Sequence, residues 1–295
     1  MPSGGSSSRV ELSWRLMTAG SCGQVEKFTN TTKPLKSIQF PAHFSLIHHH
    51  KEGYILVDTG YSDHFHDAAK SFPYSLYAKI TPIQFKPGDS AVEQLAALGI
   101  HSSDVKYIFI THFHADHISG LLDFPNAKFI CSRKAYGDVQ DKKGIAALLK
   151  GFLPDLLPED FAERVLFLED GKIASQEDLF PEAASLEILN SPIYDVFGDG
   201  SIFSVDLSGH AHGQMGLLFK QNDKVIFLVA DAAWDSSAVR NLEMPSKITK
   251  LIIHDYEVFR TTLTQLHHFY KKHPHVAMIP SHCREYKGES RCKLC

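Results

Sequence analysis

The chain has 295 residues, 43% of them hydrophobic and 22% charged, with a formal net charge of −4. This is the composition of a globular protein able to bury a sizeable core, as one large α/β domain or two small ones. The mild acidity leaves no electrostatic footprint for nucleic acid, and no apolar run approaches the ~20 residues that span a bilayer, so neither partner is expected.

Met1 to Ser8 is Gly/Ser-rich and lacks an apolar signal core. It reads as a disordered or vector-derived tail, with residues 9–295 forming a single domain. Val10 to Thr18 and His43 to His50 read as strands, joined to the apolar run from Tyr54 by a hairpin turn at Lys51-Glu52-Gly53. The triplet His48-His49-His50 at that strand end reads as a solvated edge. Phe65, Phe72, Tyr74, Tyr77 and Phe85 crowd the next connection, either walling a pocket or packing a long loop. Asp89 or Ser90 can cap a helix through Leu98, with Gly99 as its stop.

Strands are expected over 105–110 and 127–131, with helix from Ser132. Residues 141–185 look helical but are broken by Pro154, Pro158 and Pro181. Their apolar side chains, Phe152, Leu153, Leu156, Leu157 and Phe161, suit a pocket wall or a homodimer surface. Strands follow near 186–189, 193–197, 202–207, 215–220 and 224–230. A helix runs from Glu257 to Lys272 with His267, His268 and His273 on its surface, before a last strand at 275–279. Periodicity alone gives a mixed α/β fold without a short repeat. Five cysteines, an odd number without framework spacing, point to a reducing, cytoplasmic setting.

The most informative stretch is Thr111-His112-Phe113-His114-Ala115-Asp116-His117, directly after the apolar run 105–110. A loop at a strand end frees its side chains to converge on one point. Neutral imidazoles and carboxylates are the usual ligands of Zn²⁺ and similar cations. Downstream, His210 stands in Ser208-Gly209-His210-Ala211-His212-Gly213. Asp231 follows the apolar run 224–230, and His282 follows 276–281. Upstream, Tyr54 to Val57 leads into Asp58-Thr59-Gly60.

This ordered set, His112-x-His114-x-Asp116-His117 followed by His210, Asp231 and His282, resembles the metallo-β-lactamase superfamily of metal-dependent hydrolases, from about residue 54 to 282. The resemblance implies a four-layer αββα sandwich. It also implies two divalent metal ions, zinc in first place with manganese, iron or cobalt as alternatives. His112, His114 and His210 would hold one, Asp116, His117 and His282 the other, and Asp231 would bridge them. A water shared by the metals would supply the nucleophilic hydroxide, with Asp116 orienting it and carrying a proton to the leaving group. Asp58 either fixes a ligand imidazole or merely shapes its turn.

Within the superfamily the spacing is similar to N-acyl homoserine lactonases. Position 231 carries no cysteine, unlike a B1-type β-lactamase. Asp231-Ala232-Ala233-Trp234 stands where those lactonases place a tyrosine. Trp234 is therefore either a catalytic donor or a packing residue. Gln214 stands where many relatives have another histidine, and His212 reads as a neighbour of the site, not a ligand. The expected activity is hydrolysis of a small ester-like molecule, a lactone first. A glyoxalase II-type thioesterase (Lys287, Arg291 and Lys293 being suggestive), a phosphodiesterase and a non-catalytic metal-containing sensor are the alternatives. Cys283, beside His282, reads as buried. With Cys292 and Cys295 it forms a terminal cluster that reads as polar tail before metal site.

Overall fold

The computed structural model describes residues 11–286. Among these described residues thirteen strands run in chain order: β1 Leu12–Val25, β2 Ser37–His49, β3 Gly53–Val57, β4 Ile83–Gln84, β5 Val105–Phe109, β6 Lys128–Cys131 and β7 Val165–Phe167, then β8 Lys172–Ile173, β9 Ile193–Asp195, β10 Ile202–Asp206, β11 Met215–Gln221, β12 Lys224–Ala230 and β13 Ala277–Pro280. They form two mixed sheets, ordered β4-β1-β2-β3-β5-β6-β7 and β13-β12-β11-β10-β9-β8. In the first sheet β3, β5, β6 and β7 are mutually parallel. In the second only β12 and β13 are parallel.

The burial pattern explains the layering. Leu16, Ile47, Ile55, Phe109 and Ile130 of the first sheet meet Met215, Leu217, Phe219, Ile226 and Leu228 of the second in one buried cluster. Alternation sends Leu56, Ile108 and Phe129 to the opposite face, where they pack with Leu95 and Phe161 from flanking helices. Phe203, Leu218 and Phe227 likewise pack on Phe259, Leu263 and Leu266 of the helix Tyr256–Lys272. Those positions follow helical spacing, and the Asp255 side chain caps the helix by accepting from Glu257 N–H and Val258 N–H. Helix, sheet, sheet, helix is the αββα order expected from the sequence.

Ser90, not Asp89, caps the helix Ala91–Ala97, in a capping box with Glu93. Three expectations need correction. Residues 186–189 form 3₁₀ helix, because Leu186 and Leu189 are buried at a spacing of three, not on alternate faces. The stretch 141–185 contains β7 and β8 besides short helices; β7 docks as an edge strand on β6. His49 is not at a solvated edge. It points inward, stacks near Phe197 and bonds Ser201 Oγ at 3.0 Å, while His48 and His50 are exposed. The aromatic connection 65–85 mostly packs. Phe65 is buried, Tyr74, Tyr77 and Phe85 lie against the same cluster, and Phe72 is exposed.

The parallel pairs decide where chemistry collects. β3 and β5 end side by side, as do β12 and β13, and their C-terminal ends carry Asp58, the His112–His117 loop, Asp231 and His282. Chain turns leaving such strand ends are free of the sheet ladder and can direct side chains to one crevice.

Candidate metal centre

The loop after β5 is tied to both sheets. Ile110 N–H bonds Ile130 O at 2.8 Å, and Met215 N–H bonds Thr111 O at 3.0 Å. The short helix Ala115–Ile118 then turns Asp116 and His117 inward. His210 lies between β10 and β11, with its carbonyl and that of Gly209 accepting from His254 and Asp255 N–H, each at 2.9 Å. Gly151 carries φ +62° and passes so close that a Cβ there would sit 2.7 Å from His114 Cδ2. Only glycine lets this backbone wall the imidazole.

All seven side chains expected from the sequence come together. His112, His114 and His210 form one group and Asp116, His117 and His282 another, with ligand atoms within 4.8 Å of one another in each. His210 Nε2 lies 3.0 Å from His114 Nδ1. Asp231 Oδ2 stands between the groups, 3.3 Å from His210 Nε2 and 3.1 Å from His282 Nε2. Its Oδ1 lies 3.5 Å from His117 Nε2, and Asp116 Oδ2 lies 3.3 Å from His282 Nε2.

The surrounding hydrogen bonds fix which nitrogen each ring presents. His282 Nδ1 lies 2.7 Å from the Pro41 carbonyl, which can only accept, so Nδ1 carries the hydrogen. His117 Nδ1 donates in the same way to Asp58 Oδ2 at 2.7 Å. Thr111 Oγ1 donates to Asp58 Oδ2 at 2.8 Å and so must accept from His112 Nδ1 at 3.1 Å. In all three rings Nε2 is left facing the centre. His112 Nε2, His117 Nε2 and Asp231 Oδ1 are buried without a hydrogen-bond partner. Buried polar atoms are nearly always paired, so unpartnered nitrogen and oxygen atoms converging on one point suit divalent cations, and the outward N–H anchors are those metal-binding histidines use.

The electrostatics divide the centre. Burial pushes His112 well below its ordinary value and His114 and His210 down to about 4 and about 3, so these rings are neutral near pH 7. Burial also opposes charge on His117 and His282. There the carboxylates win: Asp58, Asp116 and Asp231 hold His117 up at about 10, and Asp231 and Asp116 raise His282 strongly. Burial alone would raise Asp231, but His282, His117 and His210 hold it well below the carboxylate range.

Asp58 does both things weighed for it. It turns the chain at φ 58°, and its carboxylate holds His117 and the Thr111 N–H. The neighbouring Gly60 has φ +66°, and a Cβ there would lie 2.5 Å from that of Ala19. Trp234 is buried, edge-on to His210 at 5.5 Å, and its N–H donates to Asp231 Oδ2 at 3.1 Å. His212 lies beside His254 and outside the metal-holding groups found among the described residues. Gln214 is buried and bonds Leu207 O at 3.1 Å. Cys283 is buried, its thiol pushed up by burial and held by Ser236. Cys292 and Cys295, like Lys287, Arg291 and Lys293, lie outside the described residues.

Thr111, Pro41 and Lys150 escaped the sequence reading. Thr111 borders the histidine motif, which is a usable signal. Nothing local marks the other two. Lys150, its Nζ held by Asp138 Oδ1 at 3.0 Å and His254 Nδ1 at 3.1 Å, lines a cavity of about 170 Å³. His114 and His210 line its inner end, and Val139, Leu149, Leu251 and Ile252 are among its apolar walls. The broken stretch after residue 141 therefore contributes a wall next to the centre.

A metallo-beta-lactamase superfamily profile matches residues 39–272, and the chain belongs to that family. Among curated proteins it is 32% identical over 147 residues to the N-acyl homoserine lactonase AttM of Rhizobium radiobacter, covering 48% of this chain and 47% of that protein. The chain thus spans about half the length of the curated relatives it matches first. Among solved structures, an N-acyl homoserine lactone hydrolase with N-hexanoyl-L-homoserine at its catalytic metal center superposes with a TM-score of 0.70 at 19% identity, covering 94% of this chain and 95% of the other. AidC, a dizinc quorum-quenching lactonase, gives 0.62 at 15% identity, covering 94% and 89%. Both likenesses show the fold. Among the described residues no helix is long and apolar enough to cross a membrane.

Proposed function

We propose that this chain, acting as one domain, is a dinuclear metal-dependent hydrolase that opens a small ester-like substrate, a lactone in first place. One observation carries the reading: two triads of buried donor atoms meet at a single carboxylate, Asp231, whose Oδ2 lies within 3.3 Å of His210 and 3.1 Å of His282. His112, His114 and His210 would hold one divalent cation, Asp116, His117 and His282 the other, with zinc suited to this set of nitrogen and oxygen donors. When bound, such a pair supplies Lewis acidity and a water acidic enough to ionise near neutral pH.

The chain's own groups do the rest. Asp58, Pro41 and Thr111 fix the ring nitrogens, so no rotamer need be reordered when the substrate arrives. Asp116, the most exposed carboxylate of the centre, is placed to receive a proton and pass it to the departing alkoxide oxygen. The cavity beside His114 and His210 would take an acyl tail along its apolar walls, Val139, Leu149, Leu251 and Ile252, while Lys150 offers a polar group of the substrate a donor. The lactonase relatives act on acylated lactones by name, which agrees with a cavity that has both apolar walls and a lysine.

The test is a substrate panel on protein reconstituted with zinc. N-acyl homoserine lactones, plain γ- and δ-lactones, a glutathione thioester and a phosphodiester are compared by kcat/KM. Acylated lactones should lead by at least tenfold. Preference for the thioester or phosphodiester rejects the lactone but keeps the hydrolase. No turnover of any of them by metal-loaded protein rejects both and favours a sensor.

A further inference from the structure

We infer that Trp234 is a positioning residue for the metal bridge: its indole N–H holds Asp231 Oδ2 midway between the two ligand triads. The inference rests on the metal-centre part of the reading above and is independent of which substrate is cleaved. Asp231 Oδ2 approaches histidines of both triads, at 3.3 Å from His210 Nε2 and 3.1 Å from His282 Nε2. Trp234 Nε1 donates to that same atom at 3.1 Å. A carboxylate oxygen has lone pairs enough to accept this hydrogen bond and still face a cation.

The indole is locked in place. It is buried, stands edge-on to His210 at 5.5 Å and lies tilted against Phe259 at 5.8 Å. Phe259 belongs to the long helix Tyr256–Lys272, so the donor is set by the packing of the outer layer and not by the loop alone. Asp231 itself follows Ala230 at φ 48°, a conformation that β-carbon-bearing residues avoid. The rigid N–H therefore anchors the carboxylate from the side of the outer helix layer. The same geometry has a consequence for specificity. The indole N–H is committed to Asp231, so the substrate carbonyl must be polarised without it.

The test replaces one atom. A benzothiophene analogue of tryptophan, with sulfur in place of N–H, is incorporated at position 234 alone. Zinc affinity is measured by competition with a chromophoric chelator, and melting is followed in excess chelator. The expected result is a 10- to 100-fold weaker second zinc, an unchanged first zinc and an unchanged melting temperature of the metal-free protein. Trp234→Phe should repeat the selective loss if it folds. Wild-type affinity for both zinc ions in the analogue overturns the inference. Equal weakening of both, with a lowered metal-free melting temperature, assigns the indole to packing and also overturns it. A wild-type protein that takes up one zinc or none overturns the centre and this role together, whereas two zinc ions without lactone turnover reject only the substrate.

Discussion

Replacing Asp58 by asparagine separates the two jobs of that residue. Its φ of 58° is tolerated by asparagine, whereas alanine would add about 1–2 kcal/mol of left-handed strain. The carboxylate accepts from Thr111 N–H and Thr111 Oγ1, both at 2.8 Å, and from His117 Nδ1 at 2.7 Å. An amide has one accepting oxygen. With that oxygen on Thr111 N–H, its NH₂ faces two groups that were donors. The Thr111 hydroxyl can rotate, and His117 can accept only by moving its hydrogen to Nε2. That is the atom 3.5 Å from Asp231 Oδ1, facing the cation position. One mismatched buried group costs about 1–3 kcal/mol, so metal-free stability should fall by about that amount. A misassigned ring should weaken zinc binding about 10- to 100-fold, or roughly 1.4–2.8 kcal/mol. The assay is chelator competition on wild type and D58N, beside urea unfolding in excess chelator. Unchanged affinity for both cations in D58N would falsify the anchoring role, and reduced stability alone would leave Asp58 as a turn residue.

Asp231→Ala should drop zinc content from about two per chain toward one and abolish nearly all turnover, because it removes the carboxylate that lies within 3.3 Å of both His210 and His282; near-normal turnover by protein matched in metal content would refute the bridge. Gly151→Ala places a Cβ 2.7 Å from His114 Cδ2 at φ +62°, so melting should fall by the equivalent of at least about 1–2 kcal/mol with weaker binding at the His112–His114–His210 group. Unchanged melting there would mean the wall moves freely. His43, whose value burial lowers from 6.5, binds its proton less readily in the folded state. The unfolded chain therefore takes up more protons below about pH 6.5, so metal-free stability should fall as pH drops through that point and be flat in this contribution above it. His43→Gln should make that acid slope shallower in urea titrations, though His112, His114 and His210 keep part of it; an unaltered slope would exclude His43.

The sequence by itself determined the candidate ligand set. His112, His114, Asp116 and His117 are recognisable because their chemistry is local: four donor side chains on one short loop beyond an apolar strand. His210, Asp231 and His282 were legible because each follows a run that reads as strand. The strands β5, β11 and β12 were legible from their long apolar runs, interrupted only by Lys106 in β5 and bounded by Lys220-Gln221 and Lys224 at the ends of β11 and β12. Short elements were not. Residues 186–189 carry apolar side chains that suit strand or 3₁₀ helix equally, and β7 exists only because β6 offers it an edge.

Tertiary structure alone decided the rest. Pro41 and His282 are 241 positions apart, and no local signal says that one's carbonyl will set the other's tautomer. Lys150 reaches the cavity because the broken stretch after residue 141 folds back over His114. Trp234 could be read as a free donor or as packing until the structure placed its N–H on Asp231. Which side chains are candidates for ligands is a property of side-chain type and order, which the chain spells out. Orientation is a property of who stands behind each side chain, and only long-range packing settles that.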